Sequence, residues 1–186
     1  MVFRNPGKFE EWILCGHSDA GIKSMPDKVT SVSGHVIMLC NSISNISCVL
    51  SWKSKQIKRK VASSLAGEAL AMVGTIGEIV YIKSILILFG TRAQNIPVMV
   101  VIDAKNLEAA VHSTSLVEDR WLVPDIAAIQ EALEQGTVTW VKRVSSDEML
   151  ANCLTKQGAG ADNLMKVLHS GEYRLPGGWP IRKKDL

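Results

Sequence analysis

Residues 62 to 90 constrain this chain most. They open as Ala62-Ser-Ser-Leu-Ala-Gly-Glu68-Ala-Leu-Ala-Met72 and run apolar through Phe89 to Gly90. The length and the Ala, Leu, Met and Ile content predict a single helix of ~40 Å at ~1.5 Å per residue. Ser63 or Ser64 supplies the N-cap oxygen and Gly90 the stop. Glu68 then falls in or just after the first turn. Beyond it the helix is apolar on nearly every face, so it is either buried on most sides or crosses a membrane. Glu78 and Lys83 favour burial, because each would cost ~2.5 to 3.5 kcal/mol or more at a bilayer centre. Gly67, Gly74 and Gly77 also permit close packing. The expectation is the core helix of a soluble domain. A carboxylate at its start is most simply a solvated end charge favoured by the helix dipole; the alternative is a ligand held over a site.

The whole 186-residue sequence suits one domain, residues 1–173, with an irregular tail over 174–186 carrying Pro176, Gly177, Gly178 and Pro180. The net charge of +3 does not announce a polyanion partner, so any basic footprint must be local. Cys15, Cys40, Cys48 and Cys153 show no C-x-x-C spacing and sit in apolar surroundings. They read as reduced, buried thiols. The opening residues have no apolar core of the secretory kind, and the expectation is an intracellular protein, cytoplasmic or nuclear.

Three strands are predicted before the helix: Trp12 to Asp19, ending on a carboxylate and turning through Gly21, then Gly34 to Cys40, then Cys48 to Lys53. The short loop from Asn41 to Ser47 joins the last two as antiparallel neighbours. After the helix, Val98 to Asp103 is almost purely apolar, the pattern of a strand covered on both faces. It also ends on a carboxylate. Asn106 to His112 forms a short helix and Pro124 to Glu134 an amphipathic one, with Gly136 beyond its end. Thr137 to Val144 is a fifth strand. Helical stretches follow from Asp147 to Leu154 and from Asp162 to Ser170. This order points to a mixed sheet with helices packed on it.

Between the third strand and the long helix lies a basic run containing Lys53, Lys55, Lys58, Arg59 and Lys60. A short run of this kind is as often a solvated loop as a phosphate-contacting patch. Its position favours the patch, since it leads directly into the helix that carries Glu68.

Asp19, Glu68 and Asp103 offer three carboxylates from distant parts of the chain. Clustered carboxylates repel one another, so such a set is normally filled by cations or partly protonated. Hard oxygen ligands select Mg or Mn, the chemistry of two-ion phosphoryl transfer. The series Ser18-Asp19-Ala20, Ser51-Trp-Lys-Ser-Lys55, Ser63-Ser-Leu-Ala-Gly-Glu-Ala-Leu-Ala71, Val101-Ile-Asp103 and Leu150-Ala-Asn-Cys-Leu-Thr-Lys156 resembles the RNase H domain of copia-type retrotransposon polyproteins. His112 to Asp119 and Asp125 to Ile129 extend the likeness, which spans about Leu14 to Gly171.

The resemblance implies an α/β, RNase H-like fold: a five-stranded mixed sheet, its first three strands antiparallel, flanked by helices. It also implies an Asp, Glu, Asp, Asp set that binds two Mg ions, with Mn as substitute, and hydrolyses the RNA strand of an RNA/DNA hybrid. Implied partners are the hybrid, through Lys53, Lys55, Lys58, Arg59 and Lys60, and the reverse transcriptase domain of the same polyprotein. No membrane partner is expected. Asp19, Glu68 and Asp103 match the first three carboxylates. The fourth position holds Asn152, which keeps one ligand oxygen but not the charge, so weaker binding of the second ion and slower cleavage are expected. Asp147 is offset by five residues and should point elsewhere. Ala104 is a second departure, standing where the family usually has Asn.

The rival expectation is a silent descendant serving as a nucleic-acid or protein interaction module, with the apolar latter half of the long helix pairing in a homodimer. His17-Ser18-Asp19 is no triad, because adjacent strand residues face opposite ways. His35, His112 and His169 lack metal-ligand spacing. Trp52, Trp121 and Trp140 could stack on bases but are more simply core.

Overall fold

The computed structural model describes residues 1–2, 4–22, 30–113 and 120–180. Residues 114–119 of the segment matched above, and residues 181–186 of the tail, lie outside the described residues. Three long strands lead: β1 (Trp12–Gly21), β2 (Val32–Asn41) and β3 (Ser47–Gln56). Helix α1 (Ser64–Leu88) follows, then β4 (Val98–Ile102), α2 (Lys105–His112), α3 (Val123–Glu134) and β5 (Trp140–Arg143). The short turn of helix α4 (Asn152–Thr155) and α5 (Asp162–Ser170) complete the set.

The five strands lie in the order β3-β2-β1-β4-β5. β1, β2 and β3 pair antiparallel, whereas β1 with β4 and β4 with β5 pair parallel. This is the mixed sheet of the RNase H fold. Residues alternate between its two faces, as strand geometry requires. Leu14, Ile37, Leu39, Val98, Val100 and Ile102 join the core beneath α1 and α3. Ile13, Cys15, Val36, Met38, Met99 and Val101 join a second core with Leu150, Leu164, Tyr173 and Leu175.

Several boundaries differ from expectation. β1 runs two residues past Asp19, because Ala20 and Gly21 continue to pair with Ser33 and Val32. Asp19 is therefore within the strand, not at its end. β3 extends through Gln56, which puts Lys53 and Lys55 on an edge strand and not in a loop. β5 is shorter than the Thr137 to Val144 run. The stretch from Asp147 divides into a 3-10 turn at Ser146–Glu148 and the later turn α4.

Ser63 caps α1, its hydroxyl accepting from the Ala66 amide at 3.2 Å. At the other end Gly90 adopts φ +76°, and the amides of Gly90 and Thr91 return to the carbonyls of Ile87 and Leu86. This Schellman arrangement needs the left-handed residue that glycine provides. The first half of α1 packs on the sheet through Ala69, Met72, Ile76 and Ile79. The expectation of a core helix holds only there. Val80, Tyr81, Ile87, Leu88 and Phe89 are exposed. By length and composition alone α1 could cross a membrane. Beyond Glu68 its two charged residues are both engaged within the domain: Glu78 accepts from Ser51 Oγ at 3.3 Å, and Lys83 Nζ donates to the Ile96 carbonyl at 3.1 Å.

Residues 174–180 form no helix or strand, yet Leu175 is buried and Trp179 packs against the second core. Tyr173 carries its hydroxyl to His17 Nε2 at 2.9 Å, inside the domain. Cys15, Cys40 and Cys48 are buried free thiols; Cys153, on α4, is only half-buried.

Candidate metal centre and basic groove

Asp19 reaches the site from β1, Glu68 from the first turns of α1 and Asp103 from the residue after β4. One carboxylate oxygen from each lies within 4.8 Å of the others. The topology explains the convergence. β1 and β4 are parallel neighbours, so the two Asp side chains emerge at the same end of the sheet, and α1 starts at that end. Asp19 is fully buried and Glu68 is 7% exposed.

Each aspartate is held by further groups. Thr155 Oγ1 donates to Asp19 Oδ2 in a short hydrogen bond. Ser146 Oγ donates to Asp103 Oδ2 at 2.7 Å, from a turn closed by a Ser145–Glu148 capping box. Lys156 Nζ lies 3.1 Å from Asp19 Oδ1 and 3.7 Å from Asp103 Oδ2. Burial disfavours that ammonium, but Asp19, Asp103 and Glu68 together outweigh it and raise its pKa.

Glu68 is treated differently. Its Oε2 is buried and has no hydrogen-bond partner. Burial first, then the charges of Asp19 and Asp103, push its carboxyl up to about 9; Lys156 and a backbone bond from Ala20 offset this only in part. Without a cation, Glu68 therefore holds a proton at neutral pH. An orphaned buried oxygen beside two carboxylates fits a hard divalent cation, which would be bound by oxygen alone.

Asn152 does not add a free ligand to this set. Its Oδ1 accepts from Lys156 Nζ at 2.6 Å, and its Nδ2 donates to the Ser146 carbonyl in a short bond. The i, i+4 spacing of Asn152 and Lys156 along α4 brings the two side chains together. Asp147 stands outside the cluster, with its carbonyl bonded to Asn163 Nδ2 at 2.6 Å. Thr155 and Lys156 were missed as site residues. The signal was their place in Leu154-Thr155-Lys156, directly after the position of Asn152.

The basic run is divided. Lys53, Lys55, Lys58 and Arg59 line a groove of about 350 Å³ together with Ser33, His35 and Glu78. Arg59 is not free for phosphate, because its guanidinium pairs with the buried Asp125 of α3. Lys60 belongs to a different hollow, beside Val61, Ala66 and Trp121. Trp52 is 56% exposed on β3 and Trp121 is 84% exposed, so neither is the core residue expected; Trp140 is half-buried. Trp52 occupies the edge strand β3, whose residues from Leu50 onward are mostly exposed.

The sheet order and pairing give the chain an RNase H-like fold, with three carboxylates gathered at one end of the sheet. No family model matches the sequence, and no curated protein does either. Solved structures do. RNase H1 from the halophilic archaeon Halobacterium salinarum is 15% identical with a TM-score of 0.55, over 82% of this chain and 98% of that one. LC11-RNase H1, solved in complex with an RNA/DNA hybrid, is 16% identical with a TM-score of 0.55, over 83% and 99%. The protease-reverse transcriptase of prototype foamy virus is 16% identical with a TM-score of 0.50; it covers 94% of this chain, which matches 22% of the viral one.

Proposed function

We propose that this domain is a divalent-metal-dependent endonuclease of RNase H type, of copia-like retrotransposon origin, which cuts the RNA strand of RNA/DNA hybrids. The observation that carries the reading is the convergence of Asp19, Glu68 and Asp103 on this fold, with Glu68 Oε2 left without a partner. These three carboxylates would hold Mg, or Mn in its place. Bound there, such ions lower the pKa of an attacking water and stabilise the leaving oxygen. Thr155 and Ser146 fix the rotamers of Asp19 and Asp103. Lys53, Lys55 and Lys58 would contact phosphates along the groove. RNA would be distinguished from DNA by contacts to the 2′-hydroxyl in the minor groove. The match to one part of a viral reverse transcriptase chain supports a polymerase domain as partner.

Asn152 lowers the expected rate, since it contributes no negative charge and its oxygen is bonded to Lys156. The same observation favours a second reading, a catalytically silent module that binds nucleic acid or protein. For that reading the exposed apolar end of α1 would be the surface for a homodimer. The test is cleavage of a labelled RNA/DNA hybrid with Mg and then Mn, by the wild type and by Asn152→Asp. A slow wild type and a variant faster by about tenfold or more would support the nuclease. Hybrid binding without cleavage by either protein would favour the module.

A further inference from the structure

Lys156 is a cation already seated among the carboxylates. Its Nζ touches Asp19 Oδ1 at 3.1 Å and Asn152 Oδ1 at 2.6 Å, and stands 3.7 Å from Asp103 Oδ2. Glu68 Oε2, on the same cluster, receives nothing. The centre is thus asymmetric. One side carries the chain's own cation, and on the other the Glu68 oxygen has no partner.

We propose that Lys156 is a tethered counter-ion that occupies the place of one divalent cation, so that the free protein takes a single ion, on the Glu68 side. This deepens the metal-site reading above and rests on it. The charges decide the count. With all three carboxylates ionised, the ammonium leaves a formal charge of −2, which one divalent ion neutralises. A second ion would make the centre positive and would stand within a few ångströms of an ammonium, where repulsion between cations is strong.

Asn152 is the residue that makes this stable. Its amide oxygen accepts a hydrogen bond from Lys156 while its Nδ2 is anchored to the Ser146 carbonyl, which turns the oxygen toward the ammonium. The neutral amide therefore guides Lys156 inward without adding a charge that calls for another metal ion. Lys156 is 38% exposed at its side chain, so it can leave the centre without unfolding it. A substrate phosphate is one group that could draw it out.

Counting bound Mn(II) on the intact chain, by electron paramagnetic resonance of the free ion together with calorimetry, tests this. Wild type is expected to bind one Mn(II). Lys156→Met should bind a second ion and hold the first about tenfold tighter or more. Lys156→Arg, which restores a positive charge, should return the wild-type count. Thermal melting without metal gives a separate readout. Lys156→Met should melt lower than wild type, and Mn(II) should close the gap; if that variant does not fold, Lys156→Gln takes its place in both measurements. An unchanged count and affinity on loss of the lysine charge overturns the tethered counter-ion while leaving the metal site standing. No Mn(II) bound by wild type, with Glu68→Gln indistinguishable from it, overturns the metal site and this inference with it.

Discussion

Gly34 faces Asp19 directly across the β1–β2 ladder, and a methyl group on Gly34 would come within 2.6 Å of Thr155 Cγ2. The absence of a side chain on β2 therefore lets α4 settle against the sheet where Thr155 meets Asp19. Leu154 Cβ and the Lys53 carbonyl crowd the same point, at 3.1 and 3.3 Å. Gly34→Ala is expected to cost about 1 to 3 kcal/mol by overpacking. It should also shift Mg affinity, because the turn bearing Thr155 and Lys156 must move. Urea denaturation and calorimetry of the variant check both effects; a fully stable variant with unchanged Mg affinity would show that the contact is easily relieved.

The hydroxyl of Thr155 is one of the groups that compensate the burial of Asp19. Thr155→Val keeps the shape and removes that donor. A loss of about 1 to 3 kcal/mol is expected, the cost of a buried acceptor left without its partner. Thr155→Ser, which retains the hydroxyl, should recover part of it. Equal stability of the valine and serine variants would count against the bond.

Glu68 makes the stability of the metal-free protein depend on pH. Its folded-state pKa, pushed up to about 9 by burial and by Asp19 and Asp103, exceeds the ordinary value of 4.5. Between these values the folded state holds a proton that the unfolded state has released. The stabilisation is therefore complete below the unfolded pKa and is lost as pH rises through the folded one. In the presence of a chelator, the melting temperature should fall from about pH 6 to about pH 9 more steeply for wild type than for Glu68→Gln. Added Mg should flatten the wild-type curve by drawing the proton off Glu68. Parallel curves for the two proteins would refute the assignment.

For the basic groove the expected signature is salt dependence. Lys53, Lys55 and Lys58 line it, and each one changed to Ala should reduce the slope of log K against log salt for hybrid binding by up to about 0.9. Arg59→Ala should reduce it less, since that guanidinium is already paired with Asp125. Equal slopes for wild type and a triple lysine variant would place the nucleic acid elsewhere.

The sequence carried the sheet because strands and helix ends depend on patterns that survive folding unchanged. The apolar runs around Leu14, Ile37 and Val100 set the strands, and a Ser N-cap with a Gly stop bounded α1. Asp19 and Asp103 close apolar runs and Glu68 opens one, while their meeting at one site was implied by the family resemblance and follows from the parallel pairing of β1 with β4. Pairings between distant residues were not legible. Arg59 looks free in a basic run, and only the packing of α3 shows Asp125 beside it. Lys156 enters the sequence only as the end of the matched Leu150 to Lys156 stretch, and the fold places Asp19 and Asp103 within its reach. The exposure of Trp52 likewise follows from β3 being an edge strand, a matter of strand order.

The short turn α4 and the residue after it carry Asn152, Thr155 and Lys156, while the acidic residues come from the sheet and from α1. The carboxylates are thereby part of the scaffold, and the groups that pair with them are gathered in one short turn. Substitutions confined to the five residues from 152 to 156 can therefore retune the carboxylate cluster with the strands and α1 left intact.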